Sequence, residues 1–469
     1  MVHSKGVDFY YLRSRNYSFE IVKRDVGGDF EREFTDPNAD GPNYSLSSKE
    51  LNGSYNPVSF VTGEDAFFEF FAKKNGGNIY GRSMRVGTIG GNINPEDIRN
   101  LISERSIITA DWSLSFGLYD SDGANISQLP NRHQVWACLT DNRERWQETL
   151  LNSLGTKDVL LKHLVLPGSH DAGMYLNVWP VPIANLANTQ KEDVTQQLKL
   201  GARFFDFRPA SLRGDFPDHI SGDDKWTQLV AKLGLPLIAE VLRPFFGQMR
   251  HIHGFIPGAT LHEFIDQIKH FLEENRKEIV VVKISSSGIK AECAKVPSSD
   301  EVLEVMRACL AGSSIKIGDK SCLNKPLRSL THPDLDQRLI VLFANDVDIS
   351  SSYDTNSYEQ YESHMVIDQL NKTMQQDNTG KDLIDLQLQL TATSCTGAIV
   401  RALAGSNYAT SPLLATKART DRAAYTWLLE HLKKESENSP LISIIDDFYD
   451  NGLTEIAFEI NRARLARFA

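Results

Sequence analysis

At 469 residues the chain exceeds the size at which one hydrophobic core stops growing, so two domains are expected, and 41% hydrophobic against 24% charged residues suffices to bury ordinary cores. The net charge of −11 is carried by dispersed acidic residues. That argues against nucleic acid as the main partner, while a small basic pocket facing lipid remains compatible with an acidic protein.

The first residues, MVHSKGVDFYYLRSRNYS, lack the apolar run of a signal peptide, and no later stretch is long enough to span a bilayer. The expectation is a soluble chain, cytoplasmic or secreted by a non-classical route. Five widely spaced cysteines, Cys138, Cys293, Cys309, Cys322 and Cys395, without a CxxC pair, read as reduced. Sequons at Asn16, Asn43, Asn52, Asn125 and Asn371 leave the compartment open.

Residues 1–138 form the first unit. Short alternating segments such as Tyr17–Val22 and Ile107–Leu118 lie between clusters of Gly, Asn, Asp and Pro, the signature of antiparallel β structure. A β-rich, sandwich-like accessory domain is expected, with one helix possible at Glu64–Lys74. It serves either as a binding module or as a scaffold covering part of the second unit.

Residues 139–469 alternate apolar strands with helical segments. The expected strands are Leu161–Leu166, Ala202–Phe207, Arg250–His253, Ile279–Ile284, Leu339–Ala344, Leu383–Leu390 and Leu441–Ile445. The clearest helices are Leu261–Asn275, Asp300–Leu310 and Arg422–Lys434. Such repeated strand–helix alternation predicts an α/β fold of the TIM (β/α) barrel type.

Polar residues gather where these strands end. LVLPGSHDAGMY places His170 and Asp171 after the first strand, the position where parallel α/β sheets keep their chemistry. In ARFFDFRPA, Asp206 and Arg208 are two apart and share a face, as a structural ion pair or a working one. His251 and His253 alternate in the same way. LISIIDDFYDNG delivers Asp446 and Asp447, one of which faces inward unless the pair simply caps a helix.

These segments resemble the phosphatidylinositol-specific phospholipase C X-domain family, particularly its bacterial, calcium-independent branch. LPGSHDAGMY, Thr189-Gln190, LGARFFDFRP, HIHGFIPGATLHEF and IIDDFYDNG carry the likeness in order over about residues 140–469. The resemblance implies cleavage of phosphatidylinositol-type lipids to diacylglycerol and a cyclic inositol phosphate. His170 would be the general base, His253 the general acid, Asp447 the group orienting His170, Asp171 the support of His253 or Arg208, and Arg208 the group stabilising phosphorane charge. It implies no metal and no cofactor, because Arg208 stands where calcium-dependent members carry an acidic ligand. The partner would be a phospholipid at a membrane surface, bound peripherally.

Asp206, Lys283 and Ser285 are the expected substrate contacts. Ser285 and Ala344-Asn345 depart from the basic residues of the bacterial enzymes, which leaves a glycosylated inositol lipid, another phosphodiester or a catalytically silent lipid binder as alternatives. The apolar connection Ser211–Met249, with Trp226, Phe245 and Phe246, is either an interfacial lid or a helix packed on the barrel.

Overall fold

The computed structural model describes residues 7–24, 30–33, 43–46, 66–86, 97, 100, 104–119, 133–175, 187–214, 243–254, 256–353, 362–390, 413–434 and 439–466. Trp226, Cys395, Asn52 and Asn125 lie outside them.

Two sheets form from the first part of the chain. One runs in the order Tyr44–Leu46, Val7–Arg13, His133–Asp141, Trp112–Tyr119, Ile107–Ile108. The other is antiparallel, in the order Phe30–Glu33, Tyr17–Arg24, Ala66–Lys74, Gly77–Val86. Residues from both sheets, among them Val7, Phe9, Phe19, Ile21, Phe70 and Phe116, share one buried cluster. Val7–Arg13 and His133–Asp141 pair in parallel, against the expected antiparallel pattern. The long crossover between them permits it. His133–Asp141 also runs across the expected boundary at residue 138.

The segment Glu64–Lys74, expected as a possible helix, is instead the strand Ala66–Lys74. Phe70 and Phe71 suit a pleated, half-buried surface. Asn75 and Gly76, at φ 51° and 81°, make the two-residue turn that pairs it with Gly77–Val86. Pairing on both sides overrides the helical spacing.

The second part is built on an eight-stranded parallel sheet. Its order is Ile317–Gly318, Leu339–Phe343, Val280–Ile284, Phe204–Phe207, Val165–Ser169, Leu441–Asp446, Leu383–Gln387, Ile349–Ser351. Phe205, Phe207, Val280, Val282, Ile442 and Ile444 face outward onto helices such as Leu261–Glu274. A Thr260–Glu263 capping box starts that helix, an arrangement worth about 1 kcal/mol. The opposite face begins apolar with Leu166, Phe204, Val281, Leu383 and Leu441. It turns polar toward the strand ends with Asp206, Lys283, Asp385 and Ser443.

That inner face curls on itself. Val280–Ile284 and Leu383–Gln387 are four places apart in the sheet, a separation of about 19 Å if it were flat. Lys283 Nζ nevertheless lies 2.7 Å from Asp385 Oδ2. The result is a half-barrel. Among the described residues the two edge strands, two and three residues long, are not paired with each other as a closed TIM barrel requires.

Arg250–His253 departs from the expected strand–helix alternation. This strand is not a member of the parallel sheet. It pairs antiparallel with Pro209–Leu212 and Ile256–Thr260 in a separate ribbon that continues directly from the end of Phe204–Phe207. Gly254, at φ 64°, follows the strand, and the return strand Ile256–Thr260 makes Arg250–Thr260 a hairpin rather than a crossover unit.

The two parts of the chain interlock. Asn451 Nδ2 donates to Ser113 O and Thr140 Oγ1, both at 2.9 Å, and Arg143 Nε donates to Glu455 Oε2 at 2.7 Å. Leu414, Ala415 and Phe448 complete the cluster between the two N-terminal sheets.

Candidate active site

Alternation along each strand sends every second residue to the inner face. The phase is set by Leu164 and Leu166 before His170, by Phe204 before Asp206 and Arg208, and by Leu441, Ser443 and Ile445 before Asp447. Asp446 therefore points outward, where its Oδ2 takes a 2.7 Å contact from the buried Lys417 ammonium. Asp447 points inward, and its Oδ1 is 2.7 Å from His170 Nδ1.

Asp171 is the hub. It is fully buried at φ 44°, a left-handed conformation that Asp tolerates better than most residues. The turn folds its carboxylate back over the strand ends. Oδ1 is 2.8 Å from Arg208 Nε and 3.1 Å from His251 Nε2; Oδ2 is 2.7 Å from His253 Nδ1. Arg208 N–H donates to His251 Nδ1 at 3.2 Å, so His251 is the neutral Nε2–H tautomer. Burial holds its pKa below the ordinary histidine value despite Asp171. His251 is thus a fixed prop, while His253, with a side chain 31% exposed, stands at the open side of the cluster.

Arg208 makes the remaining connections. Its Nε donates to Asp206 Oδ2 at 3.1 Å and its Nη2 donates to His170 Nε2 at 2.9 Å. His170, Asp171 and Asp206 present ligand atoms within 4.8 Å of one another, a spacing that suits a metal ion. All three contact the guanidinium of Arg208. Burial opposes its charge, but Asp171 and Asp206 prevail and raise its pKa further.

Behind Arg208 a polar row continues inward. Asp206 Oδ1 is 3.2 Å from Lys283 Nζ, which reaches Asp385, and Asp385 accepts from Ser443 Oγ at 2.8 Å and Gln387 Nε2 at 3.0 Å. Burial disfavours ionised Asp206, yet Lys283 and Arg208 bring it down to about 2.

The geometry brings together His170, Asp171, Asp206, Arg208, His253, Lys283 and Asp447. Ser285 stands apart, lining a small separate cleft with Pro209, Ser286 and Asn345. Two further residues contribute: Asp385, which the sequence reading does not single out, and Gln190, which enters it only within the pair Thr189-Gln190. Asp385 shows the same signal as Asp206, a charged residue two places from other inner-face positions in an apolar strand (LIDLQ). Gln190 donates Nε2–H to His170 O (2.7 Å) and Asp446 O (3.0 Å) and accepts from Tyr449 N–H (2.9 Å), clamping the two strand ends that meet at the site. Phe245, in the expected interfacial connection, is half-buried under the Arg250 guanidinium, 5.0 Å from the ring centroid. No helix among the described residues is long and apolar enough to cross a membrane.

No family model matches the chain, and no curated protein matches it. Among solved structures it is similar to the phosphatidylinositol-specific phospholipase C of Listeria monocytogenes, at 14% identity and TM-score 0.40, over 68% of this chain and 98% of that one. It is similar also to the Staphylococcus aureus phosphatidylinositol-specific phospholipase C. One structure of that enzyme gives 15% identity, TM-score 0.42 and coverage of 68% and 97%. A fluorinated variant gives 16%, TM-score 0.40 and the same coverage.

Proposed function

We propose that this chain is a phosphodiesterase that cleaves phosphatidylinositol-type lipids by intramolecular transesterification, without a metal. The observation that carries the chemistry is the joining of two imidazoles, His170 and His253, through one buried carboxylate, Asp171, beside a guanidinium. The lipid class rests on the sequence motifs around these residues.

In this reading the phosphate diester enters beside His253, and Arg208 exchanges its hydrogen bond to His170 for a nonbridging phosphate oxygen. That frees the Nε2 lone pair. His170 Nε2 takes the proton of the inositol 2-hydroxyl, and the oxygen attacks phosphorus. Asp447 steadies the imidazolium that forms through Nδ1–H. The phosphorane charge falls on Arg208. His253, with Nδ1–H held by Asp171, gives its Nε2 proton to the departing diacylglycerol oxygen as that P–O bond breaks. The products are diacylglycerol and a cyclic inositol phosphate. Lys283 and Asp206 line the inner face for contact with the head group.

Diacylglycerol release from phosphatidylinositol vesicles, compared with phosphatidylcholine vesicles, tests the reading. Choline carries no neighbouring hydroxyl, so release from phosphatidylinositol alone is expected. Equal release from both, or none from phosphatidylinositol, would rule out the transesterification.

A further inference from the structure

The two residues that flank Asp447 are both tied to the N-terminal part of the molecule. Phe448 is 3% exposed and belongs to the buried cluster between the two N-terminal sheets, with Phe9, Leu118 and Trp136. On the other flank, Asp446 Oδ2 lies 2.7 Å from Nζ of Lys417, the first residue of the helix Lys417–His431, and Ala418 of that helix enters the same cluster. Asp446 Oδ1 also accepts from Asp447 N–H at 2.8 Å.

Phe448 has φ 50°. For a bulky residue that is a genuine outlier, and it persists only where the surroundings impose it. Here the buried ring imposes it, together with the 2.6 Å bond from Phe448 N–H to Thr189 O. A glycine would adopt the same backbone freely, so the strain is held for the sake of the side chain. The strained step directly follows Asp447, whose Oδ1 is 2.7 Å from His170 Nδ1.

We propose that the N-terminal part of the chain positions the active site: the Phe448 ring, seated in its cluster, holds the Asp447 carboxylate against His170. Phe448 acts through Asp447 and is a positioning residue. The anchoring itself needs no substrate, whereas its effect on turnover rests on the phosphodiesterase reading.

Proton NMR of the full chain without substrate tests this. The Nδ1 proton held between His170 and Asp447 should give a resonance downfield of the backbone amides, absent from His170→Ala. Phe448→Gly keeps the backbone and removes the anchor, so the resonance should be lost or move upfield while the thermal melt stays cooperative. Phe448→Leu, a milder truncation, should move it less far upfield and serves where the glycine variant does not fold. Phe19→Leu trims the same cluster at a buried site remote in sequence from Asp447, and should leave the resonance in place. With phosphatidylinositol vesicles, Phe448→Leu should lower kcat about tenfold or more at unchanged KM, as a misplaced catalytic group does. No such resonance in the unaltered chain, an unmoved resonance in folded Phe448→Leu, or an equal move in Phe19→Leu would overturn the anchoring. Absence of turnover by the unaltered chain, with the resonance behaving as expected, would overturn the phosphodiesterase reading alone.

Discussion

Arg208 Nη2 donates to His170 Nε2 at 2.9 Å, on the opposite side of the imidazole from Asp447. A guanidinium has only donors, so Nε2 is the acceptor, and the proton of the neutral ring sits on Nδ1 facing the Asp447 carboxylate. For the proposed reaction this is the tautomer a base needs, with its lone pair covered by the group that the substrate phosphate would draw away.

This arrangement sets a pH dependence. Burial disfavours the His170 imidazolium, but Asp171 and Asp447 outweigh it and raise the pKa above the ordinary histidine value. In the proposed reaction His170 works unprotonated, so the acidic limb of kcat/KM should lie above that value. Asp447→Asn removes a raising charge. The limb should move to lower pH, and kcat should fall by about 10²-fold or more as the ring loses its orienting carboxylate. A pH–rate profile of the variant checks both.

Arg208→Ala should lower kcat/KM by about 10²–10³-fold, the usual loss of one donor to developing charge. It also leaves Asp171, fully buried, and Asp206, 1% exposed, without the guanidinium. The free energy of unfolding in urea should drop by about 3 kcal/mol. Arg208→Lys should recover part of the stability and little of the rate, because an ammonium lacks the planar fork that reaches three partners.

Acid should loosen the same cluster. Asp206 is brought down to about 2 and Asp171 is held well below the carboxylate range; burial opposes ionisation of both, but the surrounding cations prevail. A carboxylate depressed in the folded state contributes stability that is full above its unfolded pKa of about 3.9 and lost as pH falls through the folded value. Stability should therefore decline below about pH 4. Asp206→Asn should flatten the slope of unfolding free energy against pH between about 4 and 2.

A crowded glycine sets the distance between the hub and its prop. A Cβ at Gly173 would stand 2.5 Å from His251 Cβ and 2.9 Å from the Phe207 ring. Gly173→Ala should cost about 1–3 kcal/mol by overpacking. By moving His251 off Asp171 it should reduce kcat more than it raises KM, which steady-state kinetics would separate.

Much of this cluster was legible because strand alternation is a strict rule. Once FFDFR and RHIH are strands, Asp206 with Arg208 and His251 with His253 must share faces; Asp206 does contact Arg208, and both histidines contact Asp171. What alternation does not carry is pairing between distant segments. Nothing local in RHIH tells a barrel strand from an antiparallel ribbon, and the phenylalanines of Ala66–Lys74 fit a helix until Asn75-Gly76 is recognised as a hairpin turn. The meeting of Lys283 with Asp385 depends on the curl of the whole sheet. The outward role of Asp446 depends on Lys417, a residue from a helix with no special local pattern. The bond from Asp171 to both His253 and Arg208 likewise needed the left-handed turn at Asp171.

The central claim, metal-free transesterification by His170, is tested most directly by phosphorus NMR of phosphatidylinositol vesicles incubated with the chain in excess chelator, beside a His170→Ala control. A cyclic phosphodiester signal that grows with chelator present and is absent in the control is expected. Turnover only after calcium is restored, or the same signal from the His170→Ala chain, would contradict it.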